Sequence, residues 1–547
     1  MNRLAGLSFP CIAAFVALAA APARAIDAQP GLGEPLIGLS GSELTRFNEG
    51  KISFNTQLTA AQGLGPIMNR SSCGACHNNP IGGSGSISVT RFGFLDEKSE
   101  IFDPLDSLGG SLLQSQTITE GCEEVVPPEA NVTTLRITNS ALGIGLVEAI
   151  PDAAILANES PGPGISGRAH LVQPLEDPMG PLRVGRFGWK AQVATVLTFS
   201  ADASLNELGL TNRLLQSEND PNGINPPSLA TCDTVPDPED GPDINGRHFI
   251  DRVTDFQRFS AAPPQTPKSG MSGETIFNAI GCNSCHISTF TTSNDPGLET
   301  AIRNKVIHPY SDFLLHDMGL LGDLIKQGDA GIREIRTPSL WGLRVRDPML
   351  HDGRAAAGTF ATRVTAAIGW HNVAGSEAQP SGAAFAALSA GDKDKVIAFL
   401  DSLGRREFDA DGDRDVDEAD FASFHACYGP GPYSPDSPCA VHDIDQDGDV
   451  DDDDFALFQT VYTGVNGDCN FNKQPDLVDI LTAVSSDCDN NAVPDDCQPE
   501  YDSVSLFVAV LTGHNNNATL HCMYDRNHDT YVNGTDAQLF VNHLLGF

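Results

Sequence analysis

Two stretches of this 547-residue chain set two thiols three positions apart with an imidazole directly after them: Cys73-Gly-Ala-Cys76-His77 and Cys282-Asn-Ser-Cys285-His286. That spacing meets the needs of covalent haem attachment. The thiols reach both vinyl-derived carbons on one edge of the macrocycle, and the adjacent imidazole turns under the iron as proximal ligand. A lone Cys-x-x-Cys in an exported chain is more simply a disulfide or redox pair, but two copies, each followed by His, favour haem. Zinc would need further paired Cys or His at short spacing, and none lies nearby. The expectation is two covalent haems c, attached at Cys73, Cys76, Cys282 and Cys285, with His77 and His286 on the irons. A second axial ligand is required only where an iron is six-coordinate; an open iron binds peroxide or oxygen. For the second haem, His316, Met318, Met349, His351 and His371 lie downstream, and residue type alone does not rank them.

A second chemistry is spaced along the C-terminal quarter. Asp409, Asp411, Asp413, Asp415, Asp417 and Asp420 occupy positions 1, 3, 5, 7, 9 and 12 of a loop. Asp443, Asp445, Asp447, Asp449, Asp451 and Asp454 repeat the pattern with Gly448 at position 6, and Asp525, Asn527, Asp529, Asn533 and Asp536 give a third copy. Oxygen ligands at odd positions, closed by a carboxylate at 12, are calcium geometry. A solvated acidic linker is the plainer account, but Val416, Val450 and Val532 at position 8 argue for packed loops. Phe421, Phe424, Phe455, Phe458 and Phe540 follow as buried helix faces. Arg414 stands at position 6 of the first copy, where Gly is usual, and Asp468–Asn472 and Asp487–Asn491 are incomplete relatives carrying cysteines.

These groups need elements to position them. Residues 1–25 read as a secretory signal, with Arg3, an apolar stretch Phe9 to Ala21 and an Ala23-Arg24-Ala25 cleavage site. The apolar run is too short for the roughly 20 residues of a membrane-crossing helix, and no later run is longer, so no membrane span is expected. The export context predicts a periplasmic or secreted protein. Residues 26–265 form a first haem region and 266–405 a second, cytochrome c-like unit. That unit opens on a helix at Gly273-Glu-Thr-Ile-Phe277 and closes with Val396, Ile397, Phe399, Leu400 and Leu403 at helical spacing. Residues 406–547 form the acidic repeats, which follow a completed unit and are expected to leave the irons untouched. Between the motifs the sequence is loop-rich, and the predicted class is mainly α. From Asp401 onward there are 30 Asp and Glu against 5 Lys and Arg, within a formal charge of −39; that charge excludes nucleic acid as partner and invites divalent cations. Apart from Cys11 in the signal and the four motif thiols, eight of the 13 cysteines remain. An even remainder predicts disulfides, Cys122 with Cys232 in the haem region and unassigned pairs among the rest. Glu148 lies in an apolar, Gly-rich stretch where burial would raise its pKa and suit it to proton transfer.

Residues 40 to 405 resemble the dihaem oxidoreductases, labelled peroxidases or thiol oxidoreductases and related to bacterial dihaem cytochrome c peroxidases. The resemblance rests on Arg46-Phe-Asn-Glu-Gly50, Ser72 to Pro80, Gly143 to Pro151, Gly185-Arg-Phe-Gly-Trp-Lys190, Pro309 to Gly319, Arg336 to Leu343, Leu350-His-Asp-Gly-Arg354 and Trp370-His371, in that order. It implies that His371, about twenty positions after His-Asp-Gly, is the distal ligand of the second haem, with Met349 as runner-up. Haem one would keep His77 and an open or labile distal side. The relatives more usually carry Met where His371 stands, and a His would lower that haem's potential. The resemblance also implies that Trp189 relays electrons between the irons. The acidic loops resemble dockerin-type repeats, which implies a calcium-dependent protein partner; a calcium-stiffened spacer is the simpler role. The function expected is an exported dihaem oxidoreductase working with a redox partner protein or a small-molecule oxidant such as peroxide. The alternatives are a non-catalytic electron carrier and a surface-assembly component using its tail.

Overall fold

The computed structural model of the chain describes residues 28–160, 162, 164–223, 227–233, 235–463, 475–482, 484–489, 493–498, 500–527 and 529–544. The signal segment, Cys11, Cys469, the Asp468–Asn472 repeat and part of Asp487–Asn491 lie outside these residues.

Around the first motif, the helix Gly41–Asn55 packs along Phe249–Phe259, which also carries Val196–Leu208. Gly50 permits the first contact, since a Cβ there would come within 2.3 Å of the Arg252 carbonyl oxygen. Phe47, Phe54, Phe256 and Phe259 form the centre of this core. The same core takes Phe290, Phe313, Leu314 and Trp341 from chain beyond residue 265. Around the second motif, Ser272–Ala279 packs on Ala390–Ser402, joining Phe277 to Val396, Phe399 and Leu400.

The mainly-α expectation is corrected. Helix takes 35% of the residues and strand 12%, in several small sheets, so the class is mixed α/β. The largest sheet is built on Ser88–Asp96, antiparallel to Val132–Ile137 with Ser88 opposite Ile137, and flanked by Ile101–Asp103 and Leu112–Leu113. Val132–Ile137 is rich in β-branched residues, and Ser88–Asp96 brings Val89, Thr90 and two Phe, all of which fit a pleated, half-buried surface. A two-stranded ribbon pairs Leu315–Asp317 with Glu334–Arg336, placing Leu315 opposite Arg336.

Three disulfides are seen among the described residues: Cys122–Cys232, as expected, with Cys427–Cys439 and Cys488–Cys522. The acidic tail is docked on the haem regions. Glu407 accepts Gln29 N at 2.7 Å and pairs with Lys268 at 2.9 Å, Asp436 accepts Ser272 N at 3.1 Å, and Arg414 Nη1 donates to Asn79 Oδ1 at 2.9 Å. No described helix is long and apolar enough to cross a membrane.

Candidate functional site

The second motif opens on a cavity with about 180 Å3 of room for water-sized molecules, continuous with solvent. The helix Ser272–Ala279 stops at Ile280, Gly281 turns the chain at φ +87°, and Cys282–Ser284 forms one tight turn. His286 N then bonds back to the Cys282 carbonyl at 3.0 Å, so Cys282, Cys285 and His286 share one wall. His286 Nδ1 donates to the Tyr310 carbonyl at 2.9 Å. Burial lowers its pKa to about 4, so the ring is neutral and Nε2 keeps its lone pair. His371 ends the helix Phe360–His371 and borders the same cavity. Its Nδ1 donates to the Ala367 carbonyl at 2.8 Å, and burial again lowers the pKa, which leaves a second neutral ring with a free Nε2. Two imidazoles, each oriented by a backbone carbonyl, are the state in which His binds a metal.

Met349, His351, Met318 and His316 also border the cavity. His316 is differently engaged: Nε2 meets Asp312 and Nδ1 meets Glu377, each at 2.9 Å. Against the pull of burial, its bonds to Asp312, Cys285 and Glu377 raise its pKa to about 12, so it is an imidazolium with no lone pair to give. His351 is 2% exposed, is held neutral by burial, and leaves Nε2 without a hydrogen bond, 4.0 Å from the Asp352 carboxylate. Trp189 lies on the same wall and donates Nε1–H to the Ile137 carbonyl at 2.9 Å.

At the first motif, Ser72 caps the turn Cys73–Cys76 by accepting Ala75 N at 3.2 Å, and His77 N bonds to the Cys73 carbonyl at 3.0 Å. His77 Nδ1 meets the Gly83 carbonyl at 3.1 Å, and the Asn139 backbone also touches the ring. Burial lowers its pKa to about 4. Asn139 and Ser140 border a second, much smaller cavity, of about 40 Å3. The two cavities share Arg336, Pro338 and Arg346 as a common wall. Neither arginine stands out in the sequence, where Arg336 precedes Thr-Pro and Arg346 ends Leu343-Arg-Val-Arg346.

Cys73, Cys76, Cys282 and Cys285 are free thiols, and burial pushes Cys73 and Cys282 to about 12 and Cys76 to about 11. Every other described cysteine is disulfide-bonded. Free paired thiols, neutral imidazoles with an open nitrogen and an apolar cavity fit a haem.

Glu148 is placed elsewhere. Its carboxylate pairs with Arg258 and accepts Val196 N at 3.1 Å, and it is not among the residues bordering either cavity. Burial raises its pKa against the pull of Arg258. Arg354 pairs with Asp352 and lies over Trp370, 4.5 Å from the ring centre.

In the tail, the closing carboxylates are buried and hold their loops shut from within. Asp420 accepts Ala410 N at 2.7 Å, Asp454 accepts Ile444 N at 2.8 Å, and Asp536 accepts Asn533 N at 2.8 Å. Position 6 has positive φ in all three loops: +88° at Arg414, +99° at Gly448 and +76° at Thr530. Burial and neighbouring carboxylates raise Asp420 to about 6 and Asp454 to about 7. Asp409, Asp411 and Asp420 bring ligand oxygens within 4.8 Å of one another.

Residues 124–403 match the family described as "Di-haem oxidoreductase, putative peroxidase". The chain belongs to that di-haem oxidoreductase family. No curated protein matches it. Membership gives this di-haem oxidoreductase haem cofactors, a redox role and a need for a redox partner or oxidant. The matched residues include the second motif and begin after the first.

Proposed function

We propose that this di-haem oxidoreductase is an exported c-type protein that moves electrons between two covalently held haems and reduces peroxide at the first. The observation that carries this reading is the sorting of its cysteines: the four thiols of the two Cys-x-x-Cys-His motifs are free, while the other described cysteines are paired. A chain that oxidises its other thiols has reason to spare four only if they have another covalent partner. Cys73 and Cys76 would hold haem one with His77 beneath it, and Cys282 and Cys285 would hold haem two between His286 and His371. A haem supplies one-electron chemistry at an iron whose potential its axial ligands set. Reducing hydrogen peroxide to two waters takes two electrons and two protons, and two one-electron centres in one chain match that count, with a redox partner refilling them. Trp189 would serve as the relay on the wall of the second site.

The acidic region 406–547 we read as calcium-binding repeats that stiffen the tail and present it to a calcium-dependent partner. Support comes from the left-handed position 6 in each loop and from the buried carboxylate at position 12, both of which a loop wrapped on an ion requires. The test of the haem reading is a haem stain on a denaturing gel. Replacing Cys73 with Cys76, or Cys282 with Cys285, by Ser should halve the stain; an unchanged stain in either double variant rejects that attachment site.

A further inference from the structure

His316 borders the cavity of the second motif but is closed to iron, and its bonds run to both sides of the site. It is 2% exposed, with Nε2 on Asp312 and Nδ1 on Glu377, each at 2.9 Å. A carboxylate facing each nitrogen requires a hydrogen on both, so geometry alone makes the ring a buried cation. Asp312 belongs to the motif side. It is fully buried, its Oδ1 accepts Leu314 N at 3.0 Å, and its own N donates to the Cys285 carbonyl at 2.8 Å, next to His286. Cys285 Sγ itself lies 3.6 Å from His316 Nδ1. Glu377 belongs to the other side, just beyond His371, in the connector between Phe360–His371 and the helix Gln379–Ala387. Its N donates to the Asp317 carbonyl at 2.9 Å, and its carboxylate also accepts Ser166 N at 3.0 Å. The connector runs close against the turn after Leu315–Asp317, where a Cβ on Gly319 would come within 2.4 Å of the Ala374 carbonyl oxygen. A buried polar network with every member satisfied is rigid, and one that loses a member is left with uncompensated charge. One side chain thus bonds the wall carrying Cys285 and His286 to the segment that follows His371.

We propose that His316 is the positioning residue of the second site: it braces the His286 wall against the His371 connector and so fixes the gap in which both imidazoles reach one iron. The brace rests on the reading above, in which His286 and His371 hold haem two. A distal ligand stays on its metal only while the groups behind it hold the ring in place. Slackening the connector therefore weakens the bond from His371 while leaving both imidazoles in the chain.

The experiment is a cyanide titration of the ferric, haem-loaded, full-length protein, followed in the low-temperature paramagnetic resonance signal of haem two. Haem is counted per chain and a urea midpoint is measured beside it. Cyanide must displace His371 to bind there. His316→Gln offers donors to only one carboxylate, and Glu377→Ala cuts the tie to the connector while leaving His316 on Asp312. Each should lower the cyanide needed by about tenfold, the scale on which outer partners act on a metal ligand. Glu377→Ala also guards against a His316 variant that fails to fold. Glu377→Gln keeps an acceptor for Nδ1 and should leave the cyanide requirement nearly unchanged. A lowered urea midpoint with an unchanged cyanide requirement in both variants makes His316 a structural cation only and overturns the brace. An equal loss in Glu377→Gln also overturns it, since charge rather than the bond would then be the cause. A haem count below two in the unaltered protein, or a haem-two signal that survives His371→Gly, rejects the underlying reading itself, and the brace falls with it.

Discussion

Trp189 and His351 meet edge to face with ring centres 6.1 Å apart, and both are tied to Ile137. The Ile137 carbonyl accepts Trp189 Nε1–H at 2.9 Å, and the Ile137 N–H donates to the His351 carbonyl at 2.8 Å. Ile137 ends the strand Val132–Ile137, and Asn139, two residues on, touches His77. The wall of one site and the imidazole of the other are therefore joined by three bonded residues and a short stretch of backbone. Trp189→Phe keeps a ring against His351 and removes the indole bond, at a cost of about 1 kcal/mol in stability. If Trp189 relays electrons, the variant should also slow exchange between the irons after a flash of reductant. Unchanged exchange in a folded variant would reduce Trp189 to a packing residue.

His371→Gly should convert one low-spin ferric signal to high spin in a low-temperature paramagnetic resonance spectrum and leave the other haem alone. Met349→Leu should leave both signals in place. The reverse outcome would hand the ligand role to Met349, which borders the same cavity and is 2% exposed.

Glu207 gives the first site a pH dependence. Burial, opposed by Arg91, raises its pKa from 4.5 to about 7, and its Oε2 accepts Asn69 Nδ2 at 2.8 Å. The folded protein holds a proton that the unfolded chain has released, so this contribution is complete below 4.5 and is lost as pH rises through about 7. The loss runs at up to about 1.4 kcal/mol per pH unit. Glu207→Gln should flatten the fall in urea midpoint between about pH 5 and about pH 8. Because the carboxylate acts on Cys76, its ionisation should also lower the potential of haem one over the same range, and the variant should abolish that drift.

Arg414 couples the first acidic loop to the first haem motif. Its φ of +88° is a left-handed backbone that costs a side chain about 1 kcal/mol, and Nη1 reaches Asn79, two residues after His77. Arg414→Gly should tighten calcium at the first loop several-fold in a calorimetric titration. Calcium added to the unaltered protein should perturb the spectrum of haem one slightly, and the variant should silence that response. A calcium-silent spectrum in the unaltered protein would leave the irons independent of the tail.

What could be read from residue order was the chemistry held in short spacing. Both haem motifs, the Cys122–Cys232 pair and the position-8 valines stand out because each rests on types and intervals within a few residues or on simple elimination. The strands at Ser88–Asp96 and Val132–Ile137 did not, since their stability depends on a partner some forty residues away. Arg336 and Arg346 were invisible as a pair because only the fold brings them to one wall. At Glu148 the sequence foretold a pKa raised by burial but not its partner Arg258, 110 residues later.

The clasp between Gln29 and Glu407 sets a clock on assembly. Gln29 donates through both its backbone N and its Nε2 to Glu407, at 2.7 and 2.9 Å, across 378 positions of sequence. At roughly 5–20 residues per second, the ribosome needs on the order of 20–75 s after making Gln29 before its partner exists. The helix Gly41–Asn55 waits in the same way for Phe249–Phe259. The clasp therefore forms only after residue 407 has been made, and the Gly41–Asn55 contact already after residue 259.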